Sequence, residues 1–105
     1  MQDLIEAFKN VAVASVADAV DKVCGQRGYM DSVIKPRIND ARLCGPAATV
    51  LEAATDEVLP PQHALDLIDE APAGSVIVIA IEGGQSEVAV WGGLMTAGAV
   101  ANGHA

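Results

Sequence analysis

The sequence predicts an α/β domain, and three observations support this class. Residues 75–81 (SVIVIAI) are nearly all apolar and mostly β-branched, which is typical of a buried strand. A second strand pattern occupies residues 46–53, and patterns with helical periodicity alternate with these two segments. The chain has 105 residues without a repeat or linker, so we expect a single domain over residues 1–105.

The first predicted element is a short helix over residues 3–10. Asp3 is placed to cap its amino terminus. The apolar residues of this segment recur at helical spacing and share one face: Leu4, Ile5 and Phe8.

A second helix follows and is predicted to end at Gly25. Ser15 is a suitable N-cap, with Asp18 three residues on as a short capping-box acid. The predicted buried stripe of this helix is Val16, Ala19, Val20 and Val23. Residues 25–31 contain two glycines and are predicted to form a loop.

The middle of the chain alternates extended and helical patterns. Residues 33–37 contain Pro36 and predict a short edge strand or extended segment, because proline lacks the donor that a ladder needs. Residues 46–53 predict a firmer strand, and residues 55–61 a loop. The next helix is predicted over residues 62–70, with its inward face formed by Ala64, Leu65 and Ile68.

The strand at residues 75–81 is predicted to be buried on both faces. Residues 82–87 then form a polar loop at its carboxyl end, and residues 88–90 a brief strand before the last helix. In α/β proteins this edge of the sheet binds ligands, so we expect the loop and the helix start near Trp91 to face one crevice.

Gly92 and Gly93 open the last helix and suggest an anion site. Glycines let the backbone approach a ligand closely, and the free N–H groups of a helix's first turn attract a carboxylate or phosphate. The alternative is an ordinary glycine turn, since the spacing of a phosphate-binding loop is absent.

Charge argues against direct binding of nucleic acid or insertion into a membrane. Fourteen acidic residues outnumber six basic ones, giving a net charge of −8. Five of the bases lie between Lys22 and Arg42 without interleaved aromatics, so we expect them to be solvated or to bind a small anion or an acidic surface. No apolar run reaches membrane-spanning length and no signal peptide is evident, which predicts a cytoplasmic protein.

Cys24 and Cys44 lack metal-site spacing and are expected to be buried free thiols, although a disulfide is an alternative. Only Phe8, Tyr29 and Trp91 are aromatic, so the core must be aliphatic. Small aliphatic domains often leave an apolar face for a neighbour, and self-association or a partner chain is therefore expected.

Four segments, in matching order and spacing, resemble one protein family. They are ASVADAVDK at residues 14–22, MDSVIKPRI with GPAATV at 30–38 and 45–50, APAGSVIVI at 71–79, and AVWGGLM at 89–95. Together they resemble the regulator of ribonuclease activity A and 4-hydroxy-4-methyl-2-oxoglutarate aldolase (RraA-like) family.

The resemblance implies a swivelling β/β/α sandwich, usually assembled as trimers or hexamers with sites between subunits. It also implies aldol cleavage of 2-oxo acids to pyruvate, or oxaloacetate decarboxylation, with a divalent metal, normally Mg²⁺, holding the pyruvoyl group and stabilising its enolate. By the same resemblance, the backbone amides of Gly93, Leu94 and Met95 cradle the substrate carboxylate.

One family segment has no counterpart in this sequence. The family's helix is followed by a strand and a D-G-x-x-R-D segment that supplies a substrate-binding Arg and a metal-binding Asp, whereas this chain ends at Ala105. The fold is therefore expected to be truncated before the metal-binding segment, with no catalytic residue assigned. His104 is expected to be frayed surface.

Other acidic residues are candidate metal ligands, each with a simpler alternative. Glu82 follows the strand at a position where many relatives are acidic, and Glu87 lies in the same loop; both are otherwise solvated loop acids. Asp18 and Asp21 are expected to be exposed on the second helix.

Three functions remain open from the sequence. The first is a lyase subunit whose missing segment comes from a complementing chain. The second is a non-catalytic regulator that masks a ribonuclease through an acidic surface. The third is an inactive remnant.

Overall fold

The computed structural model describes residues 1–84 and 89–105 and divides the chain into two compact units, Met1–Arg42 and Leu43–Ala105. The expected single domain over residues 1–105 stays a prediction.

The first unit, Met1–Arg42, contains two amphipathic helices, α1 (Gln2–Lys9) and α2 (Val13–Cys24). Both predicted helices are confirmed, and Gly25 ends α2 in the left-handed conformation with φ of 65°. The predicted caps are wrong, because both helices begin earlier than expected. Met1 and Ala12 are the N-cap residues, so Asp3 lies inside the first turn of α1 and Ser15 inside α2.

No residue of the first unit is buried, and the predicted stripe of α2 is only partly covered. Val16 and Val20 are half-buried, whereas Ala19 is exposed and Val23 is 82% exposed. The predicted extended strand at residues 33–37 is also absent, since these residues form turns and irregular backbone. Asp31 instead closes a local turn by accepting a hydrogen bond from the Val33 N–H at 3.0 Å.

The second unit, Leu43–Ala105, contains a parallel two-stranded sheet with two helices. Its elements are β1 (Ala47–Glu52), α3 (Gln62–Glu70), β2 (Val76–Ile81) and α4 (Gly93–Ala101), with a 3₁₀ turn at Glu82–Gly84 after β2. The strands pair in register from Ala47 opposite Val76 to Glu52 opposite Ile81. The strand predicted at 46–53, the helix predicted at 62–70 and the last helix are confirmed. Of the brief strand expected at residues 88–90, position 88 lies outside the described residues, and positions 89 and 90 are not in a strand.

The core of the second unit lies between the sheet and its helices. Ala64 and Ile68 of α3 are 1% and 3% exposed, and Met95 of α4 is 8% exposed. The half-buried residues that pack against them are Val50, Leu65, Ile77, Ile79 and Ala99. Val50, Ile77 and Ile79 point toward the helices, and alternate side chains of a strand point to opposite faces. The helices therefore cover one face of the sheet.

The prediction that β2 is buried on both faces is wrong for this unit. Its residues are at most half-buried, and Val78 on the uncovered face is 39% exposed. Leu51 on the same face of β1 is 67% exposed. The apolar run indicated a strand correctly but did not reveal what covers each face.

Two glycines permit close backbone packing in the second unit. A Cβ on Gly45 would collide with the carbonyl oxygen of Gly74. Only glycine at position 45 therefore lets the segment that precedes β1 pack against the segment that precedes β2. A Cβ on Gly98 of α4 would lie 3.2 Å from Cγ2 of Ile68, which places the two helices in tight contact.

Candidate functional site

The amino terminus of α4 carries backbone donors that no side chain caps. Gly92, the N-cap residue, is extended with φ of −140° and ψ of 175°. The first hydrogen bond of the helix runs from the Thr96 N–H to the Gly92 carbonyl at 3.1 Å. The N–H groups of Gly93, Leu94 and Met95 therefore precede the helical bonding pattern, as in any first helical turn. Their arrangement suits a carboxylate, which the helix dipole also favours.

The side chains around this turn leave its outer side open. Leu94 is 90% exposed, whereas the Met95 side chain turns into the core at 8% exposure. A Cβ added to either Gly92 or Gly93 would meet no atom within 4 Å. An anion can therefore approach the three N–H groups, while Met95 anchors the turn to the core.

Trp91 and Thr96 brace this first turn. The Trp91 indole N–H donates to the Thr96 hydroxyl oxygen at 2.6 Å, and that hydroxyl donates to the Gly92 carbonyl oxygen at 3.3 Å. Sequence reasoning did not single out Thr96. The sequence feature that could have identified Thr96 is a hydroxyl four residues after the N-cap. At this spacing a threonine hydroxyl donates a hydrogen bond to the backbone carbonyl of the preceding turn.

A crevice opens at the carboxyl ends of the two strands, but neither Trp91 nor residues 82–84, which were expected to share it, belong to its described lining. Its volume is about 160 Å³, and its lining includes Glu52, Thr55, Ile81 and Ala89. A wider groove of about 380 Å³ shares Glu52 and Thr55 and extends to His63 on α3. Ala89 and Val90, just before α4, border the crevice, but Gly93, Leu94 and Met95 are not part of its lining.

Glu52 is the carboxylate that the structure brings into this crevice, and sequence reasoning missed it. It ends β1 opposite Ile81 and is half-buried, whereas Glu82 comes one residue after Ile81 and is exposed. Strand register could have identified Glu52 from the sequence. The last residues of two neighbouring parallel strands lie together at the carboxyl-terminal end of the sheet.

The described residues do not form a metal site by themselves. Across residues 1–84 and 89–105, no three His, Cys, Asp or Glu side chains come together as a ligand group. Mg²⁺ in proteins is often held by one or two carboxylates together with water, and the carboxylates at the ends of β1 and β2 are Glu52 and Glu82. Glu87 lies outside the described residues.

Asp18 and Asp21 lie one turn apart on α2 and are exposed, as expected. They line a pocket of about 270 Å³ within the first unit together with Arg27 and Tyr29. The Arg27 guanidinium stacks 4.4 Å from the centre of the Tyr29 ring. Asp18 and Asp21 therefore share their pocket with the cationic side chain of Arg27.

His104 is not frayed, which corrects the sequence-based expectation. Its Nε2 lies 2.7 Å from the Ile68 carbonyl oxygen, which also accepts a 2.8 Å hydrogen bond from the Asn102 side-chain amide. Because a carbonyl only accepts, Nε2 carries the proton, and Nδ1 is buried without a partner among the described residues. The Ala105 N–H donates to the Ser75 carbonyl at 2.9 Å, so the carboxyl-terminal residues pack beside the start of β2.

Cys24 and Cys44 form no disulfide, and neither is buried. Cys24 is exposed at the end of α2 and Cys44 is half-buried before β1. The expectation of thiols rather than a disulfide is confirmed, but their expected burial is wrong. No helix in residues 1–84 or 89–105 combines the length and apolar content needed to cross a membrane.

Charge divides sharply between the two units. Met1–Arg42 contains all six Lys and Arg residues and six acids, whereas Leu43–Ala105 contains eight acids and no Lys or Arg. The whole formal charge of −8 therefore belongs to the second unit, which also contains the candidate site. Any anion bound there meets only backbone N–H groups and helix dipoles from this unit as positive charge.

Comparison with known proteins assigns the family. The RraA-like family model (Aldolase/RraA) matches residues 13–105. Protein DlpA from Legionella pneumophila subsp. pneumophila (strain Philadelphia 1) is 36% identical over 103 residues, which are 97% of this chain and 16% of that relative. The chain thus spans about a sixth of the length of that relative, and no solved structure matches it. The mixed helix and strand content, with its parallel strand pair, is compatible with the fold of this family. On the strength of both matches, the chain belongs to the RraA-like family.

Proposed function

We propose that this chain is a subunit of a carbon–carbon lyase that cleaves or decarboxylates small 2-oxo acids to release pyruvate. The observation that carries the proposal is the open first turn of α4, where Gly93, Leu94 and Met95 offer N–H groups to a carboxylate. Their position in a family described as Aldolase/RraA supports substrate binding at this turn.

In this proposal the working enzyme also needs Mg²⁺ or another divalent metal and a second source of site residues. The second unit has no Lys or Arg, and the described residues do not assemble a metal site. Developing negative charge on a substrate requires preorganised positive charge, which backbone dipoles supply only in part. We infer that another subunit of a trimer or hexamer, or a complementing chain, supplies the rest within a swivelling β/β/α sandwich in the cytoplasm.

The first experiment measures pyruvate release from oxaloacetate and from 4-hydroxy-4-methyl-2-oxoglutarate. The purified chain is assayed with Mg²⁺, alone and after addition of candidate complementing polypeptides from the same source. We expect release that depends on both metal and partner. Activity of the chain alone would contradict the divided site, and inactivity under every condition would contradict the lyase assignment.

A second experiment tests the carboxylate cradle without requiring turnover. Gly93 is the first helical residue and follows extended Gly92, so Gly93→Pro removes one cradle N–H where proline suits the helix geometry. Gly93→Ala keeps that N–H and has open space for its methyl group. We expect oxalate, measured by calorimetry, to bind Gly93→Pro about tenfold more weakly and Gly93→Ala as the parent chain does. Equal binding by all three would place the anion elsewhere.

The charge division favours a second candidate, a regulator that binds and masks a basic surface of a ribonuclease. Eight acids and no Lys or Arg in Leu43–Ala105 provide the complementary charge. Such binding weakens steeply with salt, whereas substrate binding to the cradle responds mainly to metal. Affinity for a purified endoribonuclease at about 50 and 300 mM salt distinguishes the two functions.

A further inference from the structure

We propose that Trp91 and Thr96 act as positioning residues for the carboxylate cradle. They hold the peptide unit between Gly92 and Gly93 in the orientation that turns the Gly93 N–H toward a bound anion. The hydrogen bonds that join the Trp91 indole, the Thr96 hydroxyl and the Gly92 carbonyl are called the Trp91–Thr96 brace below. The inference rests on the proposed function, because the cradle at the start of α4 belongs to it.

The brace has a direction that is fixed by its chemistry. The Trp91 indole nitrogen only donates, so it donates to the Thr96 hydroxyl oxygen at 2.6 Å. A hydroxyl has one proton, and accepting from the indole leaves this proton for the Gly92 carbonyl oxygen at 3.3 Å. The Thr96 N–H donates to the same oxygen at 3.1 Å. The Gly92 carbonyl therefore accepts two hydrogen bonds from one residue of α4.

The Gly92 carbonyl and the Gly93 N–H belong to one planar peptide unit. In a trans peptide these two groups point in opposite directions. Because the carbonyl is held toward Thr96, inside the helix, the Gly93 N–H points outward from the start of the helix. Hydrogen bonds in a chain also polarise one another, so bonds accepted by the carbonyl strengthen the N–H of the same peptide as a donor.

A glycine on each side leaves this peptide unit able to flip unless side chains hold it. A flip rotates ψ of Gly92 and φ of Gly93 by half a turn, which takes Gly93 from helical to positive φ. Glycine adopts positive φ readily, and the space beside both glycines is open, since a Cβ on either would meet no atom within 4 Å. The flipped peptide would present the Gly92 carbonyl oxygen to the anion in place of a donor. The brace therefore supplies a restraint that the backbone lacks.

The two side chains contribute little to the buried core. Trp91 is 40% exposed and Thr96 is exposed, whereas the intervening Met95 is 8% exposed and packs in the core. Removing the Thr96 hydroxyl changes the hydrogen bonds at the first turn and leaves the core contacts of Met95 in place. We therefore expect variants at Thr96 to fold with α4 intact.

The first test is Thr96→Val, which removes the hydroxyl and retains the size and branching of the side chain. We expect oxalate, measured by calorimetry, to bind about fivefold more weakly, because part of the population has the flipped peptide. Thr96→Ser retains the hydroxyl and is expected to bind as the parent chain does. Trp91→Phe retains an aromatic ring without the donor, and we expect a smaller loss because the Thr96 hydroxyl still reaches the carbonyl.

A second substitution separates positioning of the peptide from a general structural role. Gly93→Ala disfavours positive φ and therefore keeps the peptide unflipped without the brace. We expect the double variant with Gly93→Ala and Thr96→Val to bind oxalate as tightly as Gly93→Ala alone. A merely structural role of Thr96 predicts that the double variant binds as weakly as Thr96→Val.

NMR of the free chain tests the brace without an anion. With ψ of Gly92 at 175°, the Gly93 amide proton lies close to both α protons of Gly92, whereas a flip brings it close to the Gly92 amide proton. We expect the first pattern of NOEs in the parent chain and in Thr96→Ser, and the amide–amide NOE to appear in Thr96→Val. Trp91 is the single tryptophan, so its indole N–H gives one resonance, which should move upfield when the Thr96 hydroxyl is removed.

The two measurements separate failure of the brace from failure of the cradle. Equal oxalate binding by the parent chain and Thr96→Val, an unchanged NOE pattern in Thr96→Val, or no recovery on adding Gly93→Ala would overturn the positioning role. If the parent chain does not bind oxalate while the NOEs change in Thr96→Val, the proposed cradle is contradicted and the brace still holds the peptide.

Discussion

The two units of this chain have similar apolar fractions, about half of the residues in each, but pack them differently. In Leu43–Ala105, β1 and β2 form a ladder that α3 and α4 cover on one face, and the resulting core contains Ala64, Ile68 and Met95. In Met1–Arg42, α1 and α2 have clear apolar faces but no residue is buried. Amphipathic periodicity therefore predicts a helix in both units, while only non-local pairing produces a core.

The units also differ in how charge is balanced. Six bases offset six acids in Met1–Arg42, whereas the eight acids of Leu43–Ala105 have no Lys or Arg within that unit. The better-packed unit is thus also the one that contains no Lys or Arg. The buried core and the whole net negative charge lie in the same 63 positions, 43–105.

The largest expected effect is loss of the core of the second unit. Ile68→Ala removes a side chain that is 3% exposed, and we expect the free energy of unfolding to fall by about 2–5 kcal/mol in urea denaturation. The matched change in the first unit is Val23→Ala, at 82% exposure, for which we expect a change within about 0.5 kcal/mol. Similar losses in the two variants would show that the core is not concentrated in Leu43–Ala105.

A smaller loss is expected from Gly45→Ala, because its methyl group would collide with the Gly74 carbonyl oxygen. The backbone before β1 and β2 must then shift, at a cost of about 1–3 kcal/mol in thermal or urea unfolding. Gly93→Ala is the control, since its methyl group meets no atom within 4 Å. If Gly45→Ala is as stable as the control, the close approach of the two segments is not required.

The same comparison applies to the first unit through Gly28. A Cβ there would lie 2.6 Å from the Ala17 carbonyl oxygen and 2.8 Å from Cβ of Val20. We expect Gly28→Ala to displace the loop after α2, seen as NMR shift changes confined to that loop and helix. Because no residue of this unit is buried, the unfolding free energy should fall by less than for Gly45→Ala. A larger fall would reveal packing energy in Met1–Arg42 that its exposure does not suggest.

Hydrogen bonds to the Ile68 carbonyl are expected to contribute less to the free energy of unfolding than the buried core side chains do. Asn102→Ala removes a 2.8 Å bond from a partly buried amide, and we expect a loss of about 1 kcal/mol. Asn10→Ala is the matched substitution in the first unit, where the amide donates to the Glu6 carbonyl at 3.4 Å on the surface. Amide exchange of α3 and α4 should accelerate in the first variant alone; acceleration in both would contradict the comparison.

The smallest effect on stability is expected from the ion pair between Lys9 and Glu6 on α1. A hydrogen bond from Lys9, and then its positive charge, hold the pKa of Glu6 below its ordinary value of 4.5. A lowered folded-state pKa stabilises the helix above the unfolded pKa, and this contribution is lost as pH falls through the folded pKa. The side chains are exposed, so the effect on stability should be slight. In Lys9→Gln, an NMR titration should show the pKa of Glu6 rising, and an unchanged pKa would remove Lys9 as the cause.

Local patterns predicted the elements more successfully than their surroundings. The helix at Gln62–Glu70, its inward residues Ala64 and Ile68, and the helix end at Gly25 follow from side-chain spacing and glycine geometry. The caps Asp3 and Ser15 were misplaced because the helices begin before these residues, at Gln2 and Val13. The edge strand predicted at residues 33–37 does not form, because an apolar pattern becomes a strand only when another strand pairs with it.

The candidate site shows the same division. Gly92 and Gly93 are adjacent in sequence to the turn they open, so the uncapped first turn at Gly93, Leu94 and Met95 was predictable, while its binding of a carboxylate stays a proposal. Glu52 in the crevice and the bonds of His104 to α3 were not predictable, because they join positions far apart in the chain.

The sequence by itself determined the family, the order of helices and strands, the free N–H groups at the start of α4, and the concentration of negative charge in Leu43–Ala105. Each of these depends on neighbouring residues or on composition. Tertiary structure alone decided which sheet face is covered and which carboxylate enters the crevice. These properties depend on strand register and on contacts between distant residues, and side-chain periodicity contains no information about what lies opposite a given face.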